Sequence, residues 1–194
     1  MAATGIIEGR PSVGVPVALA AGVLGAVTCI SAAAGDGIAS LNAAAVAAGD
    51  IDDAVLAGDR DAAAIAVRNL GAIALLAAGA PMLGILTVLA VAVIGMGLGL
   101  SGASVIAALG PAETLARVSP YIAFELTGVV LATAAGLLPT VHAARAALRT
   151  RDRAPFLIAY TRGLRASLVL AGVAAGLIVI AAGIEAVVIS AHLT

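Results

Sequence analysis

From Asn69 to Gly110 the chain runs for 42 residues without one charged side chain. A helix crosses the ~30 Å hydrocarbon core of a bilayer with about 20 residues, so this run has the length of two crossings. Gly79-Ala-Pro81 is the natural place for a kink or break, because proline removes a backbone donor. The spans are expected at 69–89 and 90–110. The rest of the chain agrees with a membrane solvent. Hydrophobic residues make up 62% and charged residues 11%. Ordinary soluble domains are about 45–50% apolar, and so few charges could not cover the remaining apolar surface in water.

Charge is distributed unevenly. Asp36, Asp50, Asp52, Asp53, Asp59 and Asp61 crowd the connection from 35 to 68. Arg145, Arg149, Arg151, Arg153, Arg162 and Arg165 crowd the segment from 145 to 165, with Asp152 as its one acid. The positive-inside tendency assigns the arginine segment to the cytoplasm and the acidic connection to the outside. The arginines are candidates for binding lipid or a partner.

Three further spans complete the count, at about 13–34, 120–144 and 167–189. The expectation is one all-α integral membrane domain, residues 1–194: a bundle of about five transmembrane helices, multi-pass in the cell membrane. Its N-terminus is expected in the cytoplasm and its C-terminus outside. Within the acidic connection, Ile38, Leu41, Ala45 and Val46, then Ile51, Val55, Leu56 and Ile65, recur at roughly helical spacing. They suggest short interfacial helices. Residues 111–119 read as a polar bridge, in which Glu113 and Arg117 have the spacing of a helical ion pair. Cys29 is the single cysteine, so no internal disulfide can form.

Gly97-Leu-Gly99-Leu-Ser-Gly102 matches the G-x-G-x-x-G pattern. A dinucleotide fold would also need strands alternating with amphipathic helices and an acidic residue about 20 positions on. Glu113 is too close and nothing else reads as strand alternating with helix, so close helix packing, or an irregular backbone within the protein, explains these glycines better. No Ser/His or Cys/His pairing and no metal-ligand cluster has a credible spacing. The expectation is therefore a protein that is not an enzyme, with no cofactor, no metal and no nucleic-acid partner. Its partners would be membrane lipids and a membrane protein or a second copy of itself.

Two carboxylates stand inside apolar spans, Glu125 and Glu185. An acidic residue at mid-helix costs roughly 3 kcal/mol on insertion scales, so neither is there for stability alone. The topology places both toward the outer side, at similar depth. In outline that is a proton or cation site. Equally, each could accept hydrogen bonds from Asn69, Thr87, Tyr121 or Thr127 and lock helices together.

The segment Tyr121-Ile-Ala-Phe124-Glu125-Leu126-Thr127, ending at Gly136, resembles the stage II sporulation protein M family. Members carry a His-Gly-x-Phe-Glu-Leu-Pro-like segment followed by small residues. Asn69 ahead of an apolar run, Gly79, Gly84, Thr87, Gly95 and the closing Ile184-Glu185-Ala186 extend the likeness over about residues 12–190. The family's His-Gly is Tyr121-Ile122 here, and its Pro is Thr127. The resemblance implies about five spans. It also implies a scaffold or assembly role: in spore formers such proteins look like organisers of peptidoglycan-degrading machinery. Relatives in other bacteria and archaea, and beside genes for circular bacteriocins, leave an export role open.

Overall fold

The computed structural model describes residues 13–47, 62–149 and 153–191, all helical apart from short turns. Among the described residues there are five α-helices: α1 Gly14–Ala47, α2 Ala62–Ala77, α3 Ile85–Leu109, α4 Pro111–Arg149 and α5 Arg153–Ala191. Each gives a stretch long and apolar enough to cross a membrane, that of α2 running on through the following turn to Met82. The protein is an all-α, multi-pass membrane bundle. Asp50, Asp52, Asp53, Asp59, Asp61 and Arg151 lie outside the described residues.

Helix α1 has 34 residues, about 51 Å at 1.5 Å per residue. It therefore continues through positions 38–46 as one helix, where a separate interfacial helix was expected. Alanine, the best helix former, fills much of that stretch.

The break between α2 and α3 falls at residues 78–84, earlier than the 89/90 boundary drawn from the sequence. Span two is Ala62–Met82 and span three Ile85–Leu109. Hydrophobicity is continuous across this region and could not mark the boundary. Backbone conformation does. Ala80–Met82 forms a 3-10 turn, and Leu83 (φ 53°) and Gly84 (φ 78°) are both left-handed. Such a φ is uncommon for a leucine. It is held here by Gly84 N–H donating to Gly79 O at 2.8 Å. Thr87 Oγ1 donates to Leu76 O at 2.8 Å, reinforcing a carbonyl near the end of α2 that has only a long bond, 3.4 Å, from Gly79 N–H. Thr87 packs directly on Gly79 and Gly136, where any Cβ would collide with it.

The expected polar bridge at 111–119 is instead the start of α4. Gly110 (φ 81°) turns the chain, and Pro111 takes the first helical position, where its missing N–H costs nothing. Arg117 Nε pairs with Glu113 Oε1 at 2.7 Å on the exposed face.

Pro120 and Pro139 both lie inside α4. A proline there leaves the carbonyl four residues earlier without its helical donor. The carbonyl freed by Pro139 is Ala135 O, and Ser167 Oγ of α5 donates to it at 2.6 Å. Gly163 of α5 lies flat against Pro139. These contacts, with Gly128 against Ala174 and Ile178, set the register of an antiparallel α4–α5 hairpin.

Helix α1 packs parallel to α3. Gly95 meets Val27, Gly99 meets Thr28 and Ser31, and Gly35 meets Leu100 and Ala103, so both chains advance together. The other glycines of the G-x-G-x-x-G run, Gly97 and Gly102, face open space. Close helix packing is what this stretch does. Helix α4 is the centre of the bundle, with Ala132, Ala134, Ala135 and Leu138 fully buried. The core draws on all five helices, through Leu24, Ile73, Val91, Val129 and Ile178 among others.

Candidate functional site

The helix directions give the bundle two chemically different ends. One end holds the start of α2 and α4 and the close of α5, and is called the acidic end below. The other holds the α2–α3 turn and the α4–α5 junction, and is the basic end.

Glu125 projects from α4 toward α2, where Asn69 Nδ2 donates to Glu125 Oε1 at 2.9 Å. The two residues are 56 positions apart in sequence. Tyr121 stands one turn before Glu125 on the same face of α4, as i, i+4 spacing requires, and is half-buried. Glu185 comes from α5. In the register set by Ser167 and Gly163, the residue opposite Glu125 lies about two turns, ~12 Å, short of Glu185. The two carboxylates are thus offset in depth, where the sequence suggested similar depth. Helical Cα–Cβ bonds tilt toward the N-terminus. On antiparallel helices that tilt brings these side chains toward one another, and Glu185 acts electrostatically on Glu125. Glu185 Oε2 is buried with no hydrogen-bond partner among the described residues.

Arg68 was missed by the sequence reading. It is exposed, yet its guanidinium is near enough to act on both Glu125 and Glu185. A signal existed: it is the cation that directly precedes Asn69 and the long uncharged run. With Arg68 counted, the group holds two carboxylates and one cation. A cavity of about 110 Å³ opens beside it, lined by Asn69, Glu125, Ile94, Leu98 and Ile178 among others. It has room for a few waters at ~30 Å³ each.

Two residues named with this group lie elsewhere. Thr127 is exposed and its hydroxyl donates to Ala123 O of its own helix at 2.7 Å. Thr87 serves the α2–α3 break. Among the described residues no three His, Cys, Asp or Glu side chains converge.

Depth follows from charge spacing. Glu125 and Arg145 on α4 are 20 residues apart, and so are Arg165 and Glu185 on α5. Each interval is ~30 Å of helix, the thickness of the hydrocarbon core. In the hairpin register the two intervals are offset: Glu125 lies about two turns inside Glu185, and Arg145 about two turns beyond Arg165. At the basic end, Arg145, Arg162 and Arg165 are exposed. Arg149 and Arg153 sit in the terminal turns of α4 and α5.

No curated protein and no solved structure gives a significant match to the chain. The family model for stage II sporulation protein M matches residues 15–189, from the first turn of α1 to the last turns of α5. With that match spanning all five helices and the polar group at the acidic end, the chain belongs to the stage II sporulation protein M family.

Proposed function

We propose that the protein is a non-enzymatic scaffold or assembly component that organises a complex in the cell membrane, its basic end in the cytoplasm. The projecting α4–α5 hairpin carries this reading. Each helix has 39 residues, about 58 Å, nearly twice the hydrocarbon core. Tyr160 OH donates to Ala80 O at 2.6 Å, which marks where the α2–α3 turn ends beside the hairpin. Beyond the Pro139–Gly163 contact the hairpin continues about 15 Å on both helices. That projection leaves Leu148 88% and Leu157 61% exposed, within one turn of Arg145 and Arg153 in the sequence. Leucines flanked by arginines on an arm that outreaches the headgroups suit a docking contact with another protein.

Leu148→Asp with Leu157→Asp tests this reading. The expected result is a variant that inserts and melts like the parent but migrates at the mass of the bare chain when extracted from native membranes. A parent that already migrates as the bare chain, with no neighbour captured by crosslinking at the arm, argues against a scaffold.

A second reading, an export or transport subunit using Glu125 and Glu185 for protons or cations, is favoured by one observation. Glu185 Oε2 is a buried carboxylate oxygen with no hydrogen-bond partner among the described residues. In proteoliposomes this reading expects Glu185→Gln to fold normally and abolish proton-coupled flux. Equal flux from parent, Glu125→Gln and Glu185→Gln removes it.

A further inference from the structure

We propose that the groove between the end of α2 and the face of α5 binds one acyl chain of an anionic phospholipid, whose phosphate is held by Arg165. The groove exists because Ala77, Ala78 and Ala80 present almost no side chain where the α2–α3 turn folds against α5. It measures about 460 Å³ and is lined on α5 by Leu164, Leu168 and Ala171. That volume falls within the ~300–1,000 Å³ range of small-ligand sites. Its walls are apolar except for Ser167, and that hydroxyl is committed to Ala135 O. Nothing in the lining asks for a polar ligand.

Depth and charge specify the occupant. Leu164, Leu168 and Ala171 recur at i, i+4, i+7 and form one stripe of α5. Arg165 flanks that stripe, one position round from Leu164 and three before Leu168, and is exposed. It is the last charge before the uncharged stretch 166–184 of α5, and Leu168 and Ala171 of the groove lie along that stretch, inward from it. An arginine there reaches back toward the headgroups with its stem along apolar surface. Arg162, by contrast, projects from the opposite side of the helix. Among the described residues at this end, no Asp or Glu stands on any of the five helices. An apolar slot with a cation at its polar mouth is the complement of a phospholipid with net negative charge.

The full chain in nanodiscs of equimolar phosphatidylglycerol and phosphatidylcholine, with retained lipid read by native mass spectrometry, tests the site. The parent should retain phosphatidylglycerol over phosphatidylcholine by about fivefold, the discrimination expected of one basic residue at a membrane surface. Arg165→Gln should bring that ratio close to one, and Arg162→Gln should leave it in place. Ala171→Phe should reduce retention of both lipids by filling the slot. Ala78→Leu fills it from the other wall, should the first variant melt early. Equal retention of the two lipids by the parent overturns the proposal. So does enrichment that survives Arg165→Gln but falls in Arg162→Gln, or retention indifferent to both filling variants.

Discussion

The two ends of the bundle handle buried polar groups in opposite ways. At the basic end, uncharged hydroxyls repair defects in the backbone. Thr87 reinforces the carbonyl of Leu76 near the end of α2, Ser167 takes the one freed by Pro139, and Tyr160 the one in the 3-10 turn. Thr140 Oγ1 is the exception there, buried without a partner among the described residues. At the acidic end the polar groups are half-buried carboxylates with an arginine nearby. One contact, Asn69 to Glu125, is a defined hydrogen bond, while Glu185 Oε2 has no partner among the described residues. Unpaired backbone in lipid must be satisfied internally, which accounts for the first set. No backbone defect calls for the second set, and charges kept inside a span mark function more than architecture. The comparison assigns fold-holding to the basic end and chemistry to the acidic end.

The largest expected effect tests the crossing where Thr87, Gly79, Gly136 and Leu76 meet. Gly136→Val drives a branched side chain into Thr87 and the Leu76 carbonyl, which are already in contact range. Overpacking of this kind typically costs 1–3 kcal/mol, and more where the obstacle is backbone. The variant should be lost from the detergent-soluble, cooperatively melting fraction. A normal melt would show that the basic end is not the fixed part.

Next in size is Asn69→Leu, which strips Glu125 of its donor. Leaving a buried charged acceptor unpaired costs roughly 1–3 kcal/mol. If Asn69 mainly locks helices, the double replacement Asn69→Leu with Glu125→Leu should recover most of that loss in thermal unfolding. If the carboxylate is functional, the double variant melts normally yet fails in the cell. Recovery of both stability and function would erase the distinction between the two ends.

The smallest effect concerns Ser167→Ala, expected to cost about 1 kcal/mol by orphaning Ala135 O. Pro139→Ala returns an N–H to that carbonyl. The serine substitution should therefore cost measurably less in the Pro139→Ala background, a coupling that a double-mutant cycle reads directly. Additive effects would mean that Ser167 does not act by repairing the proline.

Much of this was legible in advance. The uncharged run from Asn69 and the opposed charge clusters give five crossings and their alternation. Glu125 stood out because a carboxylate in an apolar run is costly, and Asn69 was named among its prospective donors. The break between α2 and α3 was legible at Gly79-Ala-Pro81, but not that it ends a span, because Ala, Leu, Val and Ile continue past Gly84 and the reversal depends on the φ of Leu83 and Gly84. The length of α4 was hidden by Pro120, which normally ends helices in water. Here Ser119 Oγ lies 3.5 Å from Ala116 O, the carbonyl that Pro120 frees, and the helix continues. Gly95-x-x-x-Gly99 was a readable small-residue contact motif, obscured by the more conspicuous G-x-G-x-x-G that overlaps it.

The sequence by itself determined the solvent, the helical class and the number of crossings, because each follows from hydrophobicity per length and from where charge is absent. Only the tertiary structure decided which polar groups belong together. Asn69 and Glu125 meet because α2 runs beside α4. Glu125 and Glu185 stand at different depths because Ser167 and Gly163 fix the hairpin register at Pro139. Arg68 joins them because its helix starts earlier than hydropathy shows. Contacts between residues tens of positions apart depend on helix register and rotation, and those are set by the packing of glycines and hydroxyls against backbone.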